Sequence, residues 1–390
     1  MKLAFVIQRY GPEIIGGAEY FTKLVAEHLQ DHLTIEILTT CAKGYHTWEN
    51  EYPEKNEQIN GILVRRFKNA KLRDMKSQTI IQETVFYQQH NLENERRWIE
   101  AQGPYCPELI TFIKDHKEDY DYFVFFTYRY YPSYYGIEYV KNKSIIVPFA
   151  ENDPALDLKM TSELFGKVCG IIYSTPEEKS LIKNHVKFDE TGKVWDVIGC
   201  GIDIPASDLD IPDIQLGDYI LYLGRIEGSK GCYQLFEFYL RLISDWDAAP
   251  DLVLAGFDAI GIPNNKKIKF LGFVSEEEKN RLLRNAKMLV MPSPYESFSL
   301  VTLESLSCGT PVLVNGECDV LKGHCIRSNS GLWYQNFDEF KACLFLLSTN
   351  SKLRKIMKSN GIRYIQNNYS WEVIIDKYLK LFEQIESDLN

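Results

Sequence analysis

Tyr219-Ile220-Leu221-Tyr222-Leu223-Gly224-Arg225-Ile226-Glu227-Gly228-Ser229-Lys230-Gly231 is the stretch on which the reading of this chain turns. Its first five residues are a short apolar run of the kind that forms a parallel strand buried on both faces. Gly224 ends the run, and from Gly231 to Trp246 the apolar residues recur at helical spacing. A strand, a short loop and a helix are the repeating unit of a doubly wound α/β sheet. Arg225 and Lys230 then fall at the carboxyl end of the strand, where such sheets bind ligands. Arg225 by a two-pronged contact and Lys230 as a point charge could neutralise a diphosphate as its bond to a sugar breaks. The amides that open the following helix would add to this.

Outward from this stretch the same alternation recurs in both directions. The sequence predicts strands near Leu3–Ile7, Thr34–Leu38, Ile62–Arg66, Tyr122–Phe126, Ser144–Val147, Gly170–Tyr173 and Val194–Val197 in the first half. In the second half it predicts Tyr219–Leu223, Leu252–Leu254, Ile268–Leu271, Met288–Val290 and Val312–Val314, with helices such as Gly231–Trp246 and Glu276–Asn285 between them. From Gly199 to Gly217 the chain is rich in Asp, Pro and Gly without a period, which marks a linker. From Ser370, a fitting N-cap, to Phe382 a terminal helix is expected. The fold class is α/β: two doubly wound Rossmann-like domains facing across a cleft. At 390 residues the chain accommodates both.

A second signal follows the Met288–Val290 strand. Pro292-Ser293-Pro294-Tyr295-Glu296-Ser297-Phe298-Ser299-Leu300-Val301-Thr302-Leu303-Glu304 places two glutamates seven residues apart, and Gly309-Thr310-Pro311-Val312 leads into the next strand. Glu296 is expected in the loop and Glu304 two turns into a helix that Ser299 or a neighbour starts. Carboxylates accept hydrogen bonds from a vicinal diol, which suits a ribose or hexose. The amides of Phe298, Ser299 and Leu300 at the helix start could hold a phosphate. Glu304 sits in an otherwise apolar helix, where an unpaired charge would be costly.

The pattern of Gly-Arg, Lys-Gly, the glutamate pair and Gly-Thr-Pro-Val resembles the C-terminal domain of the retaining glycosyltransferases of family 4, which have the GT-B fold. The likeness extends to Gly16-Gly17-Ala18-Glu19 after the first strand, Gly199-Cys200-Gly201-Ile202-Asp203, Leu271-Gly272-Phe273-Val274-Ser275 and Tyr369-Ser370-Trp371-Glu372. The resemblance implies an N-terminal acceptor-side domain over 1–205, completed by 370–390 through a helix that crosses back, and a donor domain over 206–369. It implies that Arg225 and Lys230 bind the donor diphosphate, Glu304 the ribose, and Glu296 the transferred sugar, with Arg225, Lys230 and Glu296 at the chemistry. Ser297, Phe298, Ser299 and Leu300 would offer amides to the phosphates, Gly16 and Gly17 would let the backbone approach the donor, and Phe273 and Val274 would meet the base. A retaining transfer from a nucleoside-diphosphate sugar, UDP-linked by family frequency, to a saccharide or lipid-linked acceptor in surface polysaccharide synthesis is implied, without metal or other cofactor. Ser297 and Ser299 replace the glycines of many relatives. Asn315–Cys325 replaces their glycine-rich loop, and the strand ends at Thr127–Tyr130 and Phe149–Asp153 lack the histidine many of them carry. No catalytic histidine is therefore identified.

Composition excludes other classes. A net charge of −10, shared between the halves, argues against nucleic acid as a partner. Nine cysteines without a C-x-x-C pair indicate neither a disulfide framework nor a zinc knuckle and point to the cytosol. No G-x-x-x-x-G-K-[ST] or G-x-G-x-x-G stands where an ATPase or dehydrogenase needs it. Asp119-Tyr120-Asp121 precedes its strand and reads as a solvated turn. Arg65–Lys76 holds six cations and one acid, either a solvated face or a dock for anionic lipid at the inner membrane face or for a phosphorylated acceptor. Tyr128, Tyr130, Tyr131, Tyr134 and Tyr135 suit a sugar platform or ordinary packing equally. His324 reads as a loop histidine near the cleft. An inactive sugar-nucleotide-binding partner, and an epimerase or phosphorylase on the same plan, remain the alternative readings.

Overall fold

The structure is a computed structural model that describes residues 1–14, 16–204 and 216–389. The chain divides into one compact unit of Met1–Cys200 with Ile374–Asn390 and a second of Gly201–Val373. Of the expected linker, residues 205–215 lie outside the described residues. After Cys200 the chain is tied to the second unit: Ile202 N donates to Tyr369 O at 2.7 Å, and Gly201 lies so close under Trp371 that a Cβ would sit 2.2 Å from the indole.

The first unit holds strands β1 (Lys2–Val6), β2 (Thr34–Thr40), β3 (Asn56–Ile59), β4 (Ile62–Phe67), β5 (Tyr122–Phe126), β6 (Ser144–Val147), β7 (Gly170–Tyr173) and β8 (Val194–Val197). They form one sheet in the order β3-β4-β2-β1-β5-β6-β7-β8, parallel except for β3 against β4. Helices α1 (Gly17–Leu29), α2 (Met75–Tyr87), α3 (Leu92–Gln102), α4 (Pro107–Asp115), α5 (Tyr131–Ile137), α6 (Lys159–Lys167) and α7 (Pro176–His185) connect them. Strands β5, β6 and β7 are buried at every residue, which is why their sequences are continuously apolar. Strand β4 instead alternates buried and half-buried residues and carries the unexpected β3 on its outer edge. The polar Asn56-Glu57-Gln58 hides that strand from sequence reading. It pairs because Asn60 and Gly61, with φ of 49° and 87°, supply the positive dihedrals of a tight two-residue hairpin.

The second unit is a six-stranded parallel sheet of β9 (Tyr219–Leu223), β10 (Asp251–Ala255), β11 (Ile268–Phe270), β12 (Leu289–Met291), β13 (Val312–Asn315) and β14 (Gly331–Tyr334), ordered β11-β10-β9-β12-β13-β14. The strand absent from the sequence reading, β14, is a half-exposed edge whose Gly331-Leu332-Trp333-Tyr334 has no period to betray it. Helices α8 (Cys232–Asp245), α9 (Glu276–Asn285), α10 (Leu300–Ser307), α11 (Asp319–Ser328), α12 (Phe337–Thr349) and α13 (Ser351–Asn368) accompany the sheet. The last helix, α14 (Trp371–Leu389), begins in this unit, with Trp371 Nε1 donating to Asp203 Oδ1 at 3.0 Å. It then packs on the first unit, where Tyr378 OH donates to Gly199 O at 3.1 Å and Ile385 meets Gly170.

Candidate active site

In the second unit the loops after β9, β10 and β11 are laced together by main-chain bonds. Gly224 N donates to Ala255 O at 3.0 Å, Ile226 N to Phe257 O at 2.7 Å and Gly256 N to Gly272 O at 2.8 Å. At Gly256, with φ of 138°, a Cβ would stand 1.9 Å from Gly224 O, so the close approach of the two strand ends requires glycine. Tyr222 OH donates to Arg225 O at 2.6 Å and fixes the main chain from which Arg225 projects. The half-exposed Arg225 guanidinium pairs with Glu227 at 3.2 Å, and Glu227 also accepts from Ser229 Oγ at 2.6 Å.

Gly231 couples this region to the next. It has φ of 74°, and a Cβ there would lie 2.2 Å from Pro292 O, so the β9–α8 loop rests directly on the loop after β12. That contact lets Lys230 Nζ reach Glu296 Oε1 at 2.8 Å. Two candidate residues separated by most of two βα units thus form one ion pair. Downstream, Ser299 takes a left-handed conformation, φ of 62°, with its Oγ bonded to Thr302 Oγ1 at 2.8 Å rather than capping α10. A helix opened in this way leaves its first amides without intrahelical acceptors. Glu304 is the fifth residue of α10, one turn in rather than two, because the helix starts only at Leu300.

Glu304 has the partner its apolar setting demands. Lys279 of α9 lies 2.8 Å from Glu304 Oε1 and 2.7 Å from Glu276 Oε2. Burial alone would depress the Lys279 ammonium, and the two carboxylates reverse this and hold it charged. Burial raises the Glu304 carboxyl, against which Lys279 pulls. Lys279 escaped the sequence reading, although the capping box of Ser275 and Glu278 that sets the register of α9 is visible there.

His324 corrects the sequence expectation. It is not a loop residue but fully buried in α11, with Nε2 3.0 Å from Phe298 O and Nδ1 3.2 Å from Tyr364 OH. Burial, with Arg327 adding to it, lowers its pKa to about 3, so the ring is neutral and Nε2–H donates to the carbonyl just before Ser299. The side chain braces the turn from which α10 starts. Phe273 is 65% exposed and Val274 half-buried in the loop after β11, which Gly272 turns with φ of 70°.

In the first unit Gly16 is the N-cap of α1, and a Cβ there would fall 2.0 Å from Glu19 Oε2. The room it leaves is taken by the buried Glu19 carboxylate, which accepts from Arg9 Nε at 2.8 Å and Gln8 Nε2 at 3.1 Å. Gly17 faces open space. Three further expectations are decided by burial. Tyr128, Tyr131 and Tyr134 are buried in the packing of the unit rather than displayed as a platform. Tyr120 is likewise buried, its OH donating to Glu36 at 2.7 Å, so Asp119-Tyr120-Asp121 is not a solvated turn throughout. The cations of Arg65–Lys76 do not share one face: Arg65 pairs with Glu36 at 2.8 Å, the buried Arg66 with Glu57 at 2.7 Å and Lys68 with Glu54 at 3.1 Å.

Residues 215–364, which carry the lysine, the arginine and both glutamates of this geometry, match the family described as glycosyl transferases group 1. The second unit is a group 1 glycosyltransferase domain. Relatives of the chain include an uncharacterized glycosyltransferase of Methanocaldococcus jannaschii, 26% identical over 246 residues that make up 58% of this chain and 59% of that one. Another is the N,N'-diacetylbacillosaminyl-diphospho-undecaprenol alpha-1,3-N-acetylgalactosaminyltransferase of Campylobacter jejuni, 25% identical over 174 residues, 43% of this chain and 44% of the relative. The matches thus span about half the length of these relatives. Among solved structures, Anabaena Alr3699/HepE in complex with UDP superposes with a TM-score of 0.70 at 15% identity, covering 98% of this chain and 100% of that one. The group 1 domain and its N-terminal companion therefore share the two-domain GT-B fold. Among the described residues no helix is long and apolar enough to cross a membrane.

Proposed function

We propose that the protein is a glycosyltransferase that moves a hexose from a nucleoside-diphosphate sugar to a saccharide or lipid-linked acceptor, with retention and without a metal. The observation that carries this reading is the Lys230–Glu296 pair at 2.8 Å, which sets a cation for a diphosphate beside a carboxylate for sugar hydroxyls at the ends of adjacent strands. An incoming diphosphate competes with Glu296 for Lys230. The ammonium and Arg225 then balance the charge that grows on the leaving phosphate, and Glu296 is released to accept from the sugar. Glu304 accepts from the ribose, and Lys279 pulls against the burial that raises its carboxyl. The amides at the start of α10 and the αL turn at Ser299 supply neutral donors to the phosphates. UDP is the first nucleotide to test, since the structural neighbour Alr3699/HepE holds it. The lipid-linked alternative for the acceptor draws support from the relative whose name includes a diphospho-undecaprenol.

The test is thermal stabilisation of the purified protein by UDP, GDP, dTDP and their sugar conjugates in the presence of a chelator, followed by sugar transfer with the nucleotide that binds. A ligand at one hundred times its Kd adds about 2.7 kcal/mol. A selective shift that Arg225→Ala and Glu304→Ala both abolish is the expected result. No shift with any nucleotide refutes the donor site.

A further inference from the structure

At the carboxyl ends of the neighbouring strands β10 and β11 the second unit exposes four large apolar side chains, Phe257, Phe270, Leu271 and Phe273. Apolar side chains grouped in water in this way mark a binding surface rather than scattered exposure. The main chain that carries two of them is fixed. Gly256 N donates to Gly272 O at 2.8 Å, so Phe257 and Phe273 each follow one member of a bonded pair. Phe257 O accepts from Ile226 N at 2.7 Å and Ile226 O from Ala259 N at 3.0 Å. The Asp258 carboxylate accepts from the amides of Ile260 at 3.1 Å and Gly261 at 2.9 Å. Phe257 is thus 54% exposed on a loop whose backbone bonds hold it without help from the ring.

The side on which the Phe257 ring stands follows from the parallel bridge that these bonds make between Ile226 and Asp258. Residues paired across such a bridge project to one side of the sheet, and the next residue along the chain projects to the other. Ile226 is buried in one cluster with Cys232, Leu235 and Phe236 of α8, so Phe257 projects away from α8. Right-handed connections carry α9 and α10 over that opposite face, because β11 to β12 and β12 to β13 cross the sheet against the direction of β9 to β10. Phe257 therefore stands on the side of the Lys279–Glu304 pair, and the loop of Phe273 leads through Ser275, the cap of α9, into the helix that carries Lys279. A nucleoside diphosphate with its phosphates at Arg225 and Lys230 and its ribose at Glu304 directs its base toward this corner. We infer that Phe257 stacks on the nucleobase of the donor, with the Phe273 loop on the other side of the base. The inference rests on the donor site proposed above. The bond between Gly256 and Gly272 sets the two loops before a ligand arrives, which lowers the cost of ordering them on binding. Every base has a π-face, so such stacking supplies affinity and leaves the choice of base to groups that reach its edge.

The test is titration of the full chain with UDP, GDP and dTDP, with inorganic pyrophosphate as the control that lacks a base. For the nucleotide that binds, Phe257→Ala should weaken affinity about tenfold or more and Phe257→Tyr should keep it, while pyrophosphate should bind both variants as it binds the natural chain. Phe257→Trp adds a direct reading: the nucleotide should quench the fluorescence of the new indole beyond any change in the natural chain, and pyrophosphate should not. The exposed ring contributes little to the core, so the variants should fold and melt as the natural chain does. Unchanged nucleotide affinity in Phe257→Ala, or an equal loss for nucleotide and pyrophosphate, overturns the stacking role. So does a tryptophan variant that the bound nucleotide leaves unquenched. Each of these results leaves the donor site standing. Failure of every nucleotide to bind the natural chain refutes the donor reading itself, and the stacking role with it.

Discussion

The loops beyond the carboxyl ends of the two sheets do not hold all their cations alike. In the second unit every cation singled out has an acid within an ion-pair distance: Arg225 with Glu227, Lys230 with Glu296, Lys279 with Glu304. In the first, Arg9 is paired with Glu19 in the same way, whereas the half-buried Arg73 has no acid within that distance among the described residues and is held by neutral acceptors, Nη1 by Tyr45 O at 3.0 Å and Nη2 by Gln102 Oε1. The difference is one of timing. A site whose cations are already paired is stable when empty and must exchange partners when a ligand arrives, which couples binding to rearrangement of Glu296. A cation held only by neutral hydrogen-bond acceptors has no carboxylate to exchange.

The sharpest way to break this contrast is Lys230→Ala. If the lysine exchanges Glu296 for a developing phosphate charge, transfer should fall by about 10²–10³-fold, as loss of one preorganised donor does, with the melting temperature of the free protein little changed. A loss of stability that matches the loss of activity would make the pair structural instead. Next comes Gly231→Ala, which forces a side chain into φ of 74° and against Pro292 O. About 2 kcal/mol or more of stability should be lost, measured by denaturant unfolding, together with the approach of Lys230 to Glu296.

His324 sharpens the comparison by pH. Its pKa is lowered in the fold, from an ordinary value near 6.5 to about 3, so its contribution is whole above pH 6.5 and declines as pH falls toward 3. The decline should approach about 1.4 kcal/mol per pH unit in that window, and His324→Gln should remove that part of the slope from stability measured between pH 7 and 4. The smallest effect is expected at Lys68→Ala. Its pair with Glu54 is exposed on both sides, and thermal melts should show no measurable change. A clear shift there would mean that the basic segment acts as one structural unit.

The parallel strands were legible because burial on both faces demands apolar runs such as Tyr122–Phe126 and Tyr219–Leu223, a pattern that composition alone displays. The edges β3 and β14 were not, since an edge strand needs neither continuous apolarity nor strict alternation and is held by its neighbour's hydrogen bonds. Among candidate residues, Arg225, Lys230, Glu296 and Glu304 announced themselves by local spacing. Lys279 did not, since its partner Glu304 lies in another helix, 25 residues along the chain. Arg9 was likewise hidden: its partner Glu19 stands within a glycine-rich motif that reads as an approach to a ligand, and the structure shows Gly16 making room for that carboxylate.

The sequence by itself determined the alternation of strands and helices, the two-domain plan and the residues at the end of β9 and around α10. These follow from periodicity and turn chemistry, which act over a few residues. Only the tertiary structure decided which charges meet. It placed Lys279 against Glu304, sank His324 under the Phe298 carbonyl and set Arg73 against the Tyr45 carbonyl and the Gln102 side chain. Pairing and burial depend on which distant segments pack together, and no spacing along the chain encodes the dielectric in which a charge comes to rest.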